Sequence, residues 1–274
     1  SCATSGCTST GRFACCASAA LFRFLGDLWN FILRYKRVVP FTNTIVQPEY
    51  EAITPVGVTN HTARIPNRPR PTHSDEAYRK AMEGGAVGTE EVIDRLTPSA
   101  PSAIILGHSI DSFRGGLEGA TAFQERLTAH AKVCPVLVPS LALKDAVEKL
   151  VAPGCRVSVL TPYLKPGGDQ SCDFMESAGF QVMRRKDFLC QTALDIAAVT
   201  EDESRAAIRE LNADDVDAIV QCGTNLPFQR VAAEAEFFLK KPVLSINTAS
   251  YWGAMRHLGI TDRVYGFGTL LEKF

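Results

Sequence analysis

Two short segments of the chain combine small, hydroxyl-bearing and reactive residues. They are Gly107-His108-Ser109 and Cys222-Gly223-Thr224, and each follows a short apolar run that predicts a buried strand. A turn of small residues at a strand end exposes several backbone N–H groups, which together can hold a carboxylate or an oxyanion. Cys222 supplies a free thiol at the end of the second of these runs. These segments predict a receptor for a small carboxylate, with one thiol pointing into it.

Further polar side chains follow other predicted strands. Tyr163 and Asn43 stand at equivalent strand ends, just after LTP and PFT, and supply additional hydrogen-bond donors. Each also has a structural interpretation: Tyr163 as a packed aromatic and Asn43 as a turn residue. Ser109 can cap the following helix, although a helix N-terminus is itself an anion site. His108 either binds substrate or caps the following turn.

The cysteines do not predict a metal or disulfide framework. The chain has nine of them, and no CxxC pair has CxxC or His partners, so we predict no metal site. Cys222 in isolation would suit an inert buried thiol, but its place between AIVQ and Gly-Thr-Asn favours catalysis. Cys190 lies in a predicted loop within reach of the cleft, and we interpret it, with Cys134, Cys155 and Cys172, as structural.

Strands and helices are predicted to alternate after Tyr35, which is typical of a parallel sheet with helices on its faces. The predicted strands are Lys36–Pro40, Gly57–Arg64, Ala103–Leu106, Pro135–Pro139, Arg156–Leu160, Phe180–Met183, Asp217–Gln221 and Pro242–Ile246. The predicted helices are Asp75–Glu83, Glu90–Leu96, Glu118–Ala131, Leu141–Leu150, Asp202–Leu211, Phe228–Leu239 and Ser250–Leu258.

Three predicted strands of the first half have counterparts in the second half, in the same order. RVVPFTN matches RVSVLTPY, AIILGHS matches AIVQCGT, and PVLVPS matches PVLSIN. Any one match is explained by chance, because buried strands of different proteins are commonly rich in Val and Ile. Three matches in order indicate a duplicated half. In open α/β sheets the ligand lies outside the carboxyl ends of the strands, so two facing copies would surround one cleft.

Composition excludes several classes of protein. The 274 residues include 29 Lys+Arg and 30 Asp+Glu, for a formal net charge of −1. This balance predicts neither a nucleic-acid nor a membrane partner, and no apolar run approaches the roughly 20 residues that span a bilayer. Residues 1–34 form an acid-poor extension, either a tail or a targeting-like segment. We expect a soluble cytoplasmic protein, or an organellar one if that extension is a transit segment.

Five segments of the chain resemble the aspartate/glutamate racemase superfamily, within it the arylmalonate decarboxylase and maleate isomerase branch. They are VVPFTNT (Val38–Thr44), GHSIDSFRGG (Gly107–Gly116), LTPY (Leu160–Tyr163), QCGTN (Gln221–Asn225) and ASYWGAMRHLG (Ala249–Gly259). The resemblance implies two pseudo-symmetric Rossmann-like domains, each a parallel sheet flanked by helices, with the active site in the cleft between them and no cofactor. We predict the first domain over 35–151 plus 251–274 and the second over 152–250.

The resemblance also implies a mechanism. Racemases and maleate isomerases of this branch use two thiols, whereas Gly107 stands here at the first-half position, so a two-thiol mechanism is not expected. Arylmalonate decarboxylases share this combination of Gly107 and Cys222. By analogy, Ser109, Tyr163 and the N–H groups of Cys222 and Gly223 would form a dioxyanion hole for one carboxylate. The other carboxylate would leave an apolar pocket as CO₂, and Cys222 would protonate the resulting enediolate.

Four positions depart from the decarboxylase pattern. His108 stands where that loop has Thr, Asp111 where it has Ser, and Thr224 where it has a second Gly, while Phe41 replaces a small residue or Pro. A His can donate a hydrogen bond and can also act as a base. These departures leave the substrate and the type of reaction open.

The sequence therefore supports three hypotheses. The first is a cofactor-free decarboxylase of a disubstituted malonate-like diacid, with Cys222 as proton donor. The second is an isomerase or racemase of a small dicarboxylate, in which His108 replaces the missing thiol. The third is a non-catalytic carboxylate-binding protein. The predicted substrate-binding residues are Pro40, Asn43, Gly107, His108, Ser109, Tyr163, Gly223 and Thr224. The partner is a small carboxylate, and the choice between monomer and homo-oligomer stays open.

Overall fold

The computed structural model describes residues 33–66, 74–83 and 87–274. The strands of the first half are β1 (Leu33–Pro40), β2 (Val58–Ile65), β3 (Ala103–Leu106) and β4 (Val136–Leu137). Its helices are α1 (Val46–Ala52), α2 (Asp75–Glu83), α3 (Thr89–Leu96), α4 (Gly116–Ala131) and α5 (Pro139–Leu150), with short 3-10 helices at Thr97–Ser99 and Ile110–Phe113. Leu33 and Arg34 belong to β1 rather than to the predicted extension, whose other residues lie outside the described ranges.

The second half repeats the alternation. Its strands are β5 (Arg156–Thr161), β6 (Gln181–Asp187), β7 (Ala218–Gln221) and β8 (Val243–Ser245). Its helices are α6 (Lys165–Ser177), α7 (Ala193–Ala198), α8 (Glu201–Leu211), α9 (Gln229–Leu239), α10 (Ile246–His257) and α11 (Thr269–Lys273). Helix α8 begins with a capping box, in which Thr200 Oγ1 accepts a hydrogen bond from the Glu203 N–H at 3.2 Å.

The strands form two four-stranded sheets, with orders β2-β1-β3-β4 and β6-β5-β7-β8. All pairings are parallel, and in the two central pairs Tyr35 lies beside Ala103 and Val157 beside Ala218. The three sequence matches therefore fall on β1 and β5, β3 and β7, and β4 and β8. The predicted fold class, two parallel sheets flanked by helices, is confirmed.

Alternate side chains of the central strands pack into different apolar cores. In β7, Ala218 and Val220 face the large apolar core that the two halves share, whereas Ile219 faces a separate core of the second half. In β3, Ala103 and Ile105 face the same shared core. Successive side chains of a strand point to opposite faces, and both faces of these sheets are covered by helices. The residue that follows β7, Cys222, continues this alternation and faces the shared core.

Helix α10 follows the last strand of the second sheet but packs against the first half. The Tyr251 ring meets those of Tyr35 and Tyr50, with centroids 5.4 and 5.0 Å away. Its hydroxyl lies 3.1 Å from Thr54 Oγ1 and 3.2 Å from Asn60 Oδ1. In the described part of the chain, no helix has the length and apolar character needed to cross a bilayer.

Candidate active site

A cavity of about 260 Å³ lies at the carboxyl ends of the strands, where the two halves face each other. Seven of the predicted substrate-binding residues line it: Pro40, Asn43, His108, Ser109, Tyr163, Gly223 and Thr224. These residues come from distant parts of the chain and meet here because parallel strands bring their carboxyl ends to one edge of each sheet. A wider groove of about 1040 Å³ on the outer side of α9 contains none of the predicted site residues.

The hydroxyl groups of Ser109 and Tyr163 form a pair in the cavity wall. Their oxygens are 2.7 Å apart, and Ser109 Oγ also accepts a hydrogen bond from the Thr224 N–H at 3.2 Å. Either hydroxyl can be the donor within the pair. Whichever donates, the other keeps its own O–H, so the pair always has one hydrogen left to offer a ligand. The Gly223 N–H, which no acceptor among the described residues takes, is a second donor.

Tyr163 is suited to remain a neutral donor. Burial is the largest influence on its phenol and raises its pKa well above the usual value, and the nearby Tyr78 acts in the same direction. The Ser109 hydrogen bond opposes this rise without reversing it. The phenol therefore keeps its proton at physiological pH and can donate it to a carboxylate or enediolate oxygen.

His108 lies in the cavity beside a buried carboxylate. Its Nδ1 is 3.1 Å from Asp111 Oδ2, in a close contact that is not aligned as a hydrogen bond. Burial raises the pKa of the Asp111 carboxyl, but His108 and Arg114 outweigh that effect and the net pKa is lowered. The carboxylate is therefore ionised and lies directly beside the imidazole. His108 is thus placed where it can contact a ligand in the cavity.

Gly107 lies beneath the cavity rather than in its wall. Its carbonyl oxygen accepts hydrogen bonds from Thr224 Oγ1 at 3.0 Å and from Asn43 Nδ2 at 3.4 Å. A Cβ at this position would lie 2.5 Å from Val39 Cγ1 and 3.2 Å from Val46 Cγ1. Gly107 therefore supports the loop from below, in place of the predicted direct contact with substrate.

Cys222 also lies outside the cavity wall, contrary to the expectation of a thiol that points into the cleft. Its side chain is 0% exposed and belongs to the shared apolar core. The reason is alternation: Cys222 continues the face of Ala218 and Val220, whereas Gly223 and Thr224 turn toward the cavity. Burial, with a smaller contribution from Cys172, raises its pKa well above the usual value. The Cys222 N–H is also occupied, since it donates to the Leu160 carbonyl at 2.9 Å.

The thiol that does line the cavity is Cys190, in the loop after β6. Its N–H donates to the Pro162 carbonyl at 2.9 Å, which ties this loop to the turn that carries Tyr163. Burial raises the pKa of Cys190 to about 11, so its thiol is protonated near neutrality. No local pattern in the sequence shows where this loop folds, so the structural role predicted for Cys190 did not place its thiol at the cavity.

Helix α2 contributes Tyr78, a cavity residue that is not among the predicted site residues. Tyr78 lines the cavity, and burial raises the pKa of its phenol, with Asp111 as the next influence. Its hydroxyl lies so close to Gly167 that a Cβ there would be 2.9 Å from it. No short motif indicates a role for Tyr78, because the surrounding sequence, DEAYRKAME, is typical of a polar surface helix.

Asn43 lines the cavity with a side chain that is already occupied. Its Oδ1 accepts hydrogen bonds from the N–H groups of Ile45 at 3.1 Å and Val46 at 3.0 Å, at the start of α1. This is the turn interpretation that the sequence left open, and it is typical of Asn before a helix. In the described residues there is no group of three His, Cys, Asp or Glu side chains that could hold a metal ion.

Comparison with known proteins identifies similar enzymes. A family model described as arylmalonate decarboxylase matches residues 76–271. The maleate isomerase of Nocardia farcinica is 26% identical to this chain over 254 residues, and the alignment covers 88% of this chain and 96% of that protein.

Solved structures extend the similarity to the whole architecture. A mutant of the N. farcinica maleate cis-trans isomerase, with a covalently bound succinylcysteine intermediate, matches with a TM-score of 0.78 and 25% identity, over 88% of this chain and 99% of that one. A liganded mutant of arylmalonate decarboxylase matches with a TM-score of 0.75 and 19% identity, over 88% of this chain and 100% of that one. The fold described above is common to both kinds of enzyme.

Proposed function

This chain belongs to the arylmalonate decarboxylase family, and we propose that it is an isomerase of a small dicarboxylate in which His108 is the acid/base group. One observation carries this proposal: His108, backed by Asp111, lies in the same cavity as the Ser109–Tyr163 pair, whereas Cys222 lies outside it. The similarity to maleate isomerases over most of the chain supports the same class of reaction.

The donors of the cavity wall suit a carboxylate whose negative charge increases during reaction. The free O–H of the Ser109–Tyr163 pair and the N–H of Gly223 are fixed before a substrate binds. Removing a proton from the carbon next to a carboxylate produces an enediolate. Prearranged donors stabilise that extra charge without reorganising, and each is worth about 10²- to 10³-fold in rate. His108 then takes the proton from the α-carbon or returns it.

The proposal is tested by following candidate acids in D₂O with proton NMR. Wild-type protein is incubated with maleate, aspartate and phenylmalonate. We expect deuterium at the α-carbon of a dicarboxylate without loss of CO₂, because His108 takes the α-proton and returns one that has exchanged with solvent. His108→Gln should slow that reaction by about 10²- to 10⁴-fold, because it removes the acid/base group.

A matched control is His130→Gln. His130 also pairs with an aspartate, with 2.8 Å between its Nε2 and Asp94 Oδ1, but it lies outside the cavity. Its substitution should leave the rate unchanged. Full activity in His108→Gln would refute the assignment of His108. A dicarboxylate that raises the melting temperature of the wild type, while every acid is recovered unchanged and unexchanged, would indicate a binding protein instead.

Decarboxylation of a malonate-like diacid is the second candidate, and Gly107 favours it. The first-half position has no room for a cysteine side chain beside Val39, which removes one thiol of a two-thiol mechanism. Release of CO₂ from phenylmalonate, with no isomerisation of maleate, would favour this candidate over the first. Cys222→Ser then tests the proton donor, and full activity in that variant would exclude the Cys222 thiol from the reaction.

A further inference from the structure

We propose that Glu49 is a positioning residue for this site: its carboxylate orients the amide of Asn247, which in turn holds Thr224 against Ser109. The activity that this inference predicts rests on the proposed function. Glu49 is in α1 of the first half, and the hydrogen bonds of its carboxylate reach the second half, at the start of α9 and in α10. It lines a small apolar groove outside the cavity and does not touch the cavity wall.

One oxygen of Glu49 caps a helix. Oε1 accepts hydrogen bonds from the N–H groups of Phe228 and Gln229, both at 3.0 Å, where the eleven-residue helix α9 begins. A carboxylate at this position satisfies N–H groups that have no partner within the helix, and the helix dipole favours its charge. By itself this contact would make Glu49 a structural link between the two halves.

The other oxygen of Glu49 determines which way a buried amide faces. Oε2 accepts from Asn247 Nδ2 at 2.6 Å, and the same nitrogen donates to the Thr224 carbonyl at 2.9 Å. Asn247 is 0% exposed, and its Oδ1 has no hydrogen-bond partner in the described structure. The amide oxygen therefore does not set the orientation. A carboxylate only accepts, so Glu49 requires Nδ2 to face it, and the second hydrogen of Nδ2 is then available to Thr224.

Thr224 transmits this restraint to the cavity. Its N–H donates to Ser109 Oγ at 3.2 Å and its hydroxyl donates to the Gly107 carbonyl at 3.0 Å. With its own carbonyl held by Asn247, Thr224 is fixed at three polar atoms. The Ser109 oxygen is thereby held in the position from which the Ser109–Tyr163 pair offers its free hydrogen. Fixed donors of this kind contribute most when charge develops on a substrate.

Two variants distinguish a role of Glu49 in positioning Thr224 from a role only in linking the two halves. In Glu49→Gln, the amide oxygen can still cap α9, but the amide nitrogen meets Asn247 Nδ2, donor against donor. The exchanged pair, Glu49→Gln with Asn247→Asp, restores a donor–acceptor contact and the same net charge. Its new carboxylate, however, has no hydrogen to offer the Thr224 carbonyl. The exchange thus keeps the link between the halves and replaces the hydrogen bond to Thr224 with a contact between two acceptor oxygens.

We expect Glu49→Gln to lower both the melting temperature and kcat/KM for the acid that the wild type converts, the latter at least tenfold. The exchanged pair should recover melting temperature but not kcat/KM. Recovery of both together would overturn the proposal, because a purely structural link would behave in that way.

A second measurement does not depend on activity or on the exchanged pair. In ¹H–¹⁵N spectra, Glu49→Gln should shift the Asn247 side-chain amide and the Thr224 backbone amide, while the backbone amide of Glu203 in α8 stays in place as a control. Unchanged Thr224 resonances would refute the relay. If the wild type converts no acid while these shifts occur, the proposed function fails and the positioning of Thr224 stands.

Discussion

At the scale of single residues, the site depends on which polar atoms face the cavity. The sequence contains two thiols near the strand ends of the second half, and the structure assigns them opposite environments. Cys222 is fully buried in the shared core, whereas Cys190 is partly exposed and lines the cavity. His108 and the Ser109–Tyr163 pair line the cavity, whereas the Cys222 thiol, which the sequence predicted beside them, is in the core. Reactivity toward a thiol reagent reports this difference directly.

We predict that iodoacetamide labels Cys190 before Cys222 in the folded protein, as measured by peptide mass spectrometry. Only the thiolate reacts, and the pKa of Cys190 is about 11. Below that pKa the thiolate fraction increases tenfold per pH unit, so labelling should accelerate about tenfold per unit between roughly pH 7 and 10.

Cys134 provides the matched control, since it is also partly exposed with a pKa of about 11 but lies outside the cavity. Succinate should slow the labelling of Cys190 and leave that of Cys134 unchanged. Earlier labelling of Cys222 would contradict the placement of its side chain in the core.

At the scale of elements, the turn after β3 requires a residue without a side chain. The polypeptide passes so close to β1 and α1 at Gly107 that a Cβ would overlap Val39. The same turn directs the Gly107 carbonyl to Asn43 and Thr224. The glycine is thus needed for packing between elements, independently of any role in chemistry.

Gly107→Cys should lower the free energy of unfolding by about 1 to 3 kcal/mol, because it overpacks a filled core. Urea denaturation measures this change. Shortening the neighbour in the double variant Gly107→Cys with Val39→Ala should recover part of the loss, so that the double variant is more stable than the sum of the single changes predicts. Strict additivity would show that the added side chain does not press on Val39.

Helix α6 was absent from the predicted helices, and its first turn explains why. Lys165–Ser177 opens with Pro166, Gly167 and Gly168, a run typical of a turn. A Cβ at Gly167 would lie 2.7 Å from Tyr163 Cβ, and one at Gly168 would lie 2.5 Å from Asp187 Oδ1. The glycines allow neighbouring segments to pack tightly against the helix. Helix propensity depends on local sequence alone, so it does not predict a helix that begins with these residues.

At the scale of the whole molecule, the two halves are joined by a common core and by an exchanged helix. The shared core includes Tyr35 and Val39 from the first half and Val157 and Phe174 from the second. Helix α10 leaves the second sheet and places Tyr251 against the first half. Each half has a core of its own, but the largest core is shared by both, so the halves should unfold together.

Tyr251→Phe should reduce the free energy of unfolding by about 1 kcal/mol, since it removes a hydroxyl that contacts Thr54 and Asn60. Urea unfolding followed by far-ultraviolet circular dichroism and by tryptophan fluorescence should shift equally in both signals. Transitions that separate from each other would show that the halves unfold independently. The ring contacts remain in this variant, so activity should be unchanged.

Much of the architecture is determined by the sequence alone. Short Val- and Ile-rich runs, the turn residues after them and the ordered repeat of three strands are all patterns of consecutive residues. Parallel strands end at one edge of a sheet, so those patterns also placed seven of the eight predicted substrate-binding residues around one cavity. That co-location is the part of the site that local pattern and topology determine together.

Only the tertiary structure decided which groups face that cavity. Both faces of β3 and β7 are apolar, so alternation along the sequence left open whether Cys222 and Gly107 turn toward the ligand or toward the core. Cys190, Tyr78 and Glu49 come from a loop and two helices, and their positions depend on contacts between residues far apart in the chain. Side-chain orientation at a strand end and the path of a loop are set by packing of the whole molecule, which no local pattern encodes.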